Sequence, residues 1–509
     1  MTDADGAKVA PLRRKTARGV LVTGSRGVII GVVHVLTLAV LARILTPADF
    51  GLAATVTAVF SLSTLLVQQG IAEALVQKRQ LTDADTGTAM SLILAAAAML
   101  LAALWGLAPW LAHILALPEL VLPLRAVALA IPVNALTRLW WADARRGLEF
   151  DRIAVVDVVS SLVGGALAAI GLALIGLGYW ALIGSLIIQE GCRMIGFGLG
   201  RWRRFRPGFA PAAVGPLVSF GALSSAWTAF GQIYASGERL VLPPYLGAEA
   251  VGFLSRGRSI VGMFSEFFGI PVNQVLFPVL AKLQNEPERV FRGYREAIAL
   301  SALFAVPSAI VTHFLAAPLV AIFLGSQWQP VVPILEVVAG NIFFSLIGMP
   351  IVATLRGLGQ QKLAALLTGT QTLALIAGML LLREQPLPVI AGAILATSAA
   401  AFFGWNRLVS WALGVSYIAT LAPMRAGFVY GACLILTWLV MTAGSGLSTD
   451  GPVGAAVFLV LAAAELVLLV LANPRWFLGA DMQWLRRQLI ERLRTRALFR
   501  IKQGSTRDG

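Results

Sequence analysis

Six arginines stand inside long apolar stretches of the chain: Arg26, Arg125, Arg138, Arg193, Arg256 and Arg258. If those stretches cross a bilayer, a guanidinium near the middle costs about 2.5–3.5 kcal/mol on insertion scales. Arginine stays charged at any relevant pH and grips phosphate or carboxylate through a planar fork. Arg258, Arg256, Arg26 and Arg138 are therefore candidates for a cationic cavity that binds an anion. Each has a plainer alternative. Arg258 can pair with Glu266 or pack on backbone carbonyls, and Arg256 can serve structure. Arg26, about two turns into its helix, can snorkel to the surface, and Arg138, one turn after Asn134, lies near a helix end. Arg193, three residues after Glu190, reads first as half of a helical ion pair. Arg125 lies near an interface.

Acidic groups in the same stretches suggest a second kind of chemistry. Asp157, Glu266, Glu336 and His34 are candidates for ion coupling, because a buried carboxyl can carry a proton; a local partner is the alternative for each. The three histidines form no metal cluster. Cys192 and Cys433 are far apart and offer neither a disulfide framework nor zinc spacing. No metal or cofactor is expected. No Walker A loop, zinc-protease signature or nucleophile elbow is present. The loops expected outside the cell are all short, which weighs against an enzyme.

The elements that must position these residues follow from composition. The chain has 509 residues, 58% of them hydrophobic and 13% charged, with mean hydropathy +0.82. Soluble chains carry about 25% charged residues, so this is an all-α polytopic membrane protein. About fourteen runs are each long enough to span the hydrocarbon: 20–44, 50–77, 86–115, 119–142, 153–177, 179–200, 213–237, 248–280, 294–317, 331–355, 361–382, 387–412, 424–444 and 452–472. The net charge is +15, but its placement excludes nucleic acid as the reason. Thirty-one of the 40 basic residues fall in the N-terminus, the C-terminal tail and alternate loops, while the opposite loops hold only Arg43, Arg239 and Arg383. That pattern puts both termini in the cytoplasm. The polar N-terminus precedes an apolar run too long for a signal peptide. The tail, with Trp484, Leu485, Leu489 and Leu493 among arginines, reads as an amphipathic helix on the inner leaflet.

The chain also repeats. "LTPADFGL" (45–52) aligns with "LGAEAVGF" (246–253), so that Gly51 meets Gly252; later, Pro123 meets Pro333 and "RGL" at 146–148 meets "RGL" at 356–358. Two parallel, pseudo-twofold-related six-helix halves result, with two C-terminal helices left over. At helical period, Arg258, Gly262, Ser265 and Gly269 share a small and polar face, widened by Ser255, Ser259 and Glu266. The repeat maps them onto Thr57, Ser61, Thr64 and Gln68, the expected cavity lining from the first half. Arg256 lies away from that face. The organisation is then an N-terminal segment 1–19, an N-lobe 20–200, a basic linker 201–212, a C-lobe 213–412, helices at 424–472 and a tail 473–509.

The segment "LARILTPADFGLAATVTAVFSLSTLLVQQGIAEALVQKRQLT" (41–82), its L-x-P-x-D-F-G turn and the later "RGLGQQ" (356–361) resemble the Wzx-type oligosaccharide flippases. These are polysaccharide transporters of the multidrug/oligosaccharidyl-lipid/polysaccharide (MOP) exporter superfamily. The resemblance implies a MATE-like, V-shaped pair of six-helix lobes in the bacterial inner membrane. It implies alternating-access export of an undecaprenyl-pyrophosphate-linked oligosaccharide for exopolysaccharide, capsule or O-antigen (lipopolysaccharide). A polysaccharide polymerase and a chain-length regulator are the implied partners, beside membrane lipids. Alternatives are another MOP exporter, either a peptidoglycan-precursor flippase or a drug/cation antiporter, and a membrane glycosyltransferase or polymerase.

Overall fold

The computed structural model describes residues 3–68, 81–201, 207–211, 222–269, 286–445 and 451–472, with a few single positions between them. Among these the regular elements are all helical. In chain order they are α1 (Asp3–Ile44), α2 (Pro47–Gln68), α3 (Asp83–Ile114), α4 (Val121–Ala128), α5 (Ala130–Arg146), α6 (Phe150–Ser160), α7 (Ala168–Leu174) and α8 (Trp180–Gly198). Then come α9 (Ala222–Val241), α10 (Pro243–Phe264), α11 (Pro287–Phe314), α12 (Ala316–Phe323), α13 (Val331–Val338), α14 (Asn341–Gly357) and α15 (Gln361–Leu381). The last are α16 (Leu387–Leu413), α17 (Tyr417–Leu421), α18 (Arg425–Ser445) and α19 (Pro452–Ala472). Wider π turns join α6 to α7 (Ser161–Leu167) and follow α10 (Ser265–Gly269).

Eleven described stretches are long and apolar enough to cross a membrane, and each coincides with one of the fourteen expected runs. The three remaining runs correspond to α8, α9 and α10, long helices interrupted by charge: Glu190 and Arg193, Glu238 and Arg239, Arg256 and Arg258. Fourteen crossings are compatible with this count. The split after 177 is real, because Gly176 and Gly178 take positive φ (80° and 53°) and break the helix where a side chain would be strained. A short helical turn opened by Pro243 precedes Gly247, which at φ 75° is not helical, and the long run of α10 begins directly after it, as expected. The expected amphipathic tail helix lies outside the described residues.

The chain packs as two units. One comprises Met1–Pro271, Leu319–Val338 and Gln360–Ala401; the other comprises Val272–Pro318, Ala339–Gly359 and Phe402–Gly509. In the first, Leu124, Ile131, Leu139, Trp140 and Ile183 are fully buried where α5 packs on α3 and α8. In the second, the Tyr294 hydroxyl donates to Asn406 Oδ1 at 2.9 Å, and Tyr430 donates to the Ala462 carbonyl at 2.7 Å.

The turn before α2 explains the "LTPADFG" motif residue by residue. Thr46 is the helix cap: its hydroxyl accepts from the Asp49 amide at 3.2 Å, and Asp49 Oδ2 accepts from the Thr46 amide at 2.9 Å. This reciprocal box satisfies donors that a helix start leaves open. Pro47 opens the first turn, where no amide is needed. Phe50 packs edge-on against Trp328, ring centroids 5.2 Å apart, and the Trp328 indole donates to the Ala42 carbonyl at 2.8 Å. Gly51 lies against α10: a Cβ there would sit 1.7 Å from the Ala248 carbonyl oxygen. Its repeat mate does the same in reverse, a Cβ on Gly252 falling 2.0 Å from the Pro47 carbonyl oxygen.

This crossing tolerates no side chain. Gly252→Val is expected to destabilise the protein by about 3 kcal/mol or more, read as a lower melting temperature and loss of monodisperse protein in detergent. Gly191→Ala, where a Cβ meets nothing within 4 Å, is expected to leave both unchanged.

Candidate functional site

A cavity of about 630 Å³ lies within the first unit, walled by α1, α2, α8, α9, α10 and the two π turns. Leu38, Leu41, Phe50, Leu182 and Leu186 make its apolar wall. Arg239, Arg256, Arg258, Glu266, His34 and Gln189 supply its charged and strongly polar groups. Ser259 and Gly262 line it as the helical period predicts, and so does Glu266; Ser265 and Gly269 do not. The π turn from Ser265 to Gly269 is the reason, because it changes the rotation per residue on which that face was drawn.

Arg258 Nη1 donates to Glu238 Oε2. Its guanidinium lies 5.8 Å from the Tyr234 ring centroid, and the Tyr234 hydroxyl is 2.6 Å from Ser398 Oγ. Glu238 has no solvent exposure and also faces Arg239 Nε at 3.5 Å. A pairing of Arg258 with Glu266 is one alternative the sequence offers, and the structure pairs it with Glu238 instead. Glu238 takes that place because α9 continues through "SGERLV" as helix, which also moves Arg239 from a loop into the cavity wall. The apolar Leu240, Val241 and Leu242 after the charged pair are the sequence signal for that continuation.

Arg256 lines the same cavity, although its Cβ direction points away from Arg258; a long side chain bends round the helix to reach it. Its guanidinium stacks 4.9 Å from the Phe50 ring centroid, and its Nε is buried with no hydrogen-bond partner. Among the described residues no carboxylate lies within ion-pair distance of it. Cation–π contact offsets part of the desolvation and leaves the rest of the fork available.

The other arginines form a second cluster. Arg26 Nη1 bonds Asp157 Oδ2, and Arg193 Nε lies 3.7 Å from Asp157 Oδ1. Arg193 Nη1 donates to Glu190 Oε1 at 2.7 Å, and Asn134 Nδ2 donates to Glu190 Oε2 at 2.8 Å. Arg138 feels the charges of Glu190, Asp157 and Arg193 and stacks 5.9 Å from the Trp141 ring centroid. His34, on α1 with Arg26, is 3.5 Å from Ser161 Oγ. Arg26 and Arg138 thus belong with Asp157, while Arg256 and Arg258 belong with Glu266 and His34.

Thr57, Ser61 and Thr64 do not line this cavity. The Thr57 hydroxyl bonds the Ala53 carbonyl at 2.7 Å and Thr64 bonds the Ser61 carbonyl at 3.1 Å, so both are occupied within α2. Gln68 ends α2, and its side chain lies outside the described residues. Glu336 is exposed on α13 and is not part of the cavity. Arg125 stacks 5.7 Å from the Trp105 ring centroid.

A family profile described as "Polysaccharide biosynthesis protein" matches residues 40–333, more than half of the chain. The chain belongs to this family. Lipopolysaccharide biosynthesis protein WzxC of Escherichia coli is 24% identical over 67% of this chain and 69% of its own length. Succinoglycan biosynthesis transport protein ExoT of Rhizobium meliloti is 27% identical over 60% of this chain and 61% of its own. The fold is that of the MOP exporters. Lipid II flippase MurJ in an inward closed conformation superposes with TM-score 0.71 at 12% identity, covering 90% of this chain and 99% of that one. An inward-facing multidrug resistance MATE family transporter superposes with TM-score 0.54 at 14% identity, covering 78% and 96%.

The Glu238 pairing gives a stability prediction. Glu238→Ala strands Arg258 and Arg239 at a buried site, so a loss of about 3–5 kcal/mol is expected. Thermal unfolding in detergent measures it, and adding Arg258→Met to Glu238→Ala is expected to restore more than half.

Proposed function

We propose that this protein moves a lipid-linked oligosaccharide, carried on undecaprenyl pyrophosphate, from the cytoplasmic to the periplasmic leaflet of the bacterial inner membrane. The product feeds exopolysaccharide, capsule or O-antigen synthesis, and both chain termini face the cytoplasm. The observation that carries this reading is the cavity into which Arg239, Arg256 and Arg258 project. A pyrophosphate diester bears two negative charges and presents oxygens to bidentate donors, the chemistry guanidinium groups match. Apolar Leu38, Leu41, Leu182 and Leu186 exclude water and strengthen those contacts. The prenyl chain stays in lipid while the head group is carried.

In this reading Arg256 is the principal anion ligand, because it has a cation–π partner and no described carboxylate. Arg258 and Arg239 are the second and third. The Arg26–Asp157–Arg193–Glu190 cluster and Arg138 form the wall beyond Gln189 and respond as the halves at 20–200 and 213–412 alternate access. His34, Glu266 and Asp157 are the proposed ion-coupling groups near the substrate. The activity is export without bond-making, with a polymerase and a chain-length regulator acting downstream.

A drug/cation antiporter is the competing reading within the same fold, and the cavity's three guanidinium groups oppose it. A glycosyltransferase is the competing reading from another class; sugar transfer by the purified protein alone would support that reading instead.

Arg256→Ala is expected to lower surface polymer about 10- to 100-fold, the loss of one charge-assisted contact, with normal membrane insertion and lipid-linked precursor accumulating inside. Arg256→Lys keeps the charge and loses the fork, and should recover only part. Polymer output unchanged in Arg256→Ala would remove Arg256 from the site.

A further inference from the structure

We propose that Glu238 is a resident counter-ion which the incoming anion displaces, so that each anion bound is accompanied by uptake of a proton at Glu238. The inference rests on the anion-cavity reading above. Arg258 and Arg239 both line the cavity, and both are also turned toward one carboxylate behind its wall. The empty cavity is thus partly neutralised by the protein itself. A pyrophosphate diester that engages Arg258 competes for the same N–H groups that Glu238 holds. Arg258 cannot serve both with its full fork, and the contact to Arg239, at 3.5 Å, is no hydrogen bond: Glu238 Oε1 is buried with no hydrogen-bond partner.

Once Arg258 turns to the ligand, Glu238 is a carboxylate with no exposed surface and its one strong donor gone. A buried charge in that position neutralises rather than persists. The packing around it offers no other rescue. α9 itself carries only Tyr234 and Arg239 as further titratable or charged groups, and α10 adds Arg256 in the cavity with Tyr245 and Glu249 on its exposed side. The one titratable residue of α2, Asp49, is bonded to Thr46, and that of α15, Lys362, sits in its first turn. The cavity holds two other proton acceptors, Glu266 and His34, and they are the rival sites for the proton. The arrangement also selects: a weakly held anion cannot displace the resident carboxylate from Arg258, whereas one with two charges and paired oxygens can.

The test uses the purified full-length protein in detergent and dimethyl pyrophosphate, a diester whose charges do not titrate in the neutral range. Calorimetry in two buffers of different ionisation enthalpy counts protons per anion bound. The expected result is uptake of about one proton, with affinity falling about tenfold per pH unit as pH rises. In Glu238→Gln the uptake disappears and the affinity becomes flat with pH, while Glu249→Gln, on the exposed side of α10 and outside the cavity, keeps both. Binding without proton uptake by the unmodified protein overturns the inference and leaves the cavity reading standing. So does uptake that survives Glu238→Gln. Failure of the diester to bind at all overturns the cavity reading and this inference with it.

Discussion

The contact on which the cavity depends is between two backbones. Gly51 and Gly252 let α2 and α10 meet so closely that each would place a Cβ within 2.0 Å of the other helix's carbonyl oxygen. Small residues allow such approach in membranes, where helix association rests on packing rather than on escape from water. The crossing fixes what stands beside it. Phe50 is one residue before Gly51, and Arg256 is one turn after Gly252; the close approach of the two helices brings them within the 4.9 Å stacking distance. Trp328 closes the same corner, touching Phe50 and Phe253 with ring centroids at 5.2 and 6.0 Å. A cation is thereby held at the cavity edge by packing, not by an opposite charge.

Charge within the membrane is handled in two different ways in this unit. Arg26, Arg193, Asp157 and Glu190 form a chain of ion pairs in which cations and acids alternate. Arg258 and Arg239 share the single carboxylate of Glu238. Helices α8, α9 and α10 carry most of these groups, with Arg26 on α1 and Asp157 on α6, and those three are the helices whose charge sets them apart from the eleven apolar spans. Each needs its neighbours to be satisfied, since a lone charge in hydrocarbon costs several kcal/mol. Pairing between helices is therefore a condition of their place in the bundle, and not an embellishment of it.

Much of this was legible in the sequence, and the failures have physical causes. Apolar run length found the eleven described membrane-crossing stretches, because hydrocarbon thickness sets it, and missed the short α12 and α17. The repeat alignment that put Gly51 opposite Gly252 named the tightest contact between α2 and α10, since pseudo-symmetric helices meet near their axis. The face containing Arg258 and Gly262 held as far as the α-helix does and failed at the π turn, which nothing in "SEFFG" announces. Glu238 and Arg239 were missed because a charged pair near the end of an apolar run looks like a loop until its burial is known. The threonines of α2 do not line this cavity, for a related reason. A hydroxyl on a helix can satisfy itself on the carbonyl one turn back, so a polar stripe is no proof of a wet one.

The two arginines of "SRGRS" show why partner, and not position, sorts the roles. Helical period put Arg258 on the polar face and Arg256 off it. The structure brings both to one cavity and distinguishes them by what they already hold. Arg258 is engaged by a buried carboxylate, so freeing it has a cost that any ligand must overcome. Arg256 is engaged by a π face, which attracts a cation without consuming its donors. In the proposed anion-cavity reading, a ligand anion therefore meets Arg256 at once and Arg258 only by exchange. That order of engagement follows from one aromatic residue in α2 and one acid in α9, neither of which is basic and neither of which a search for anion-binding residues would single out.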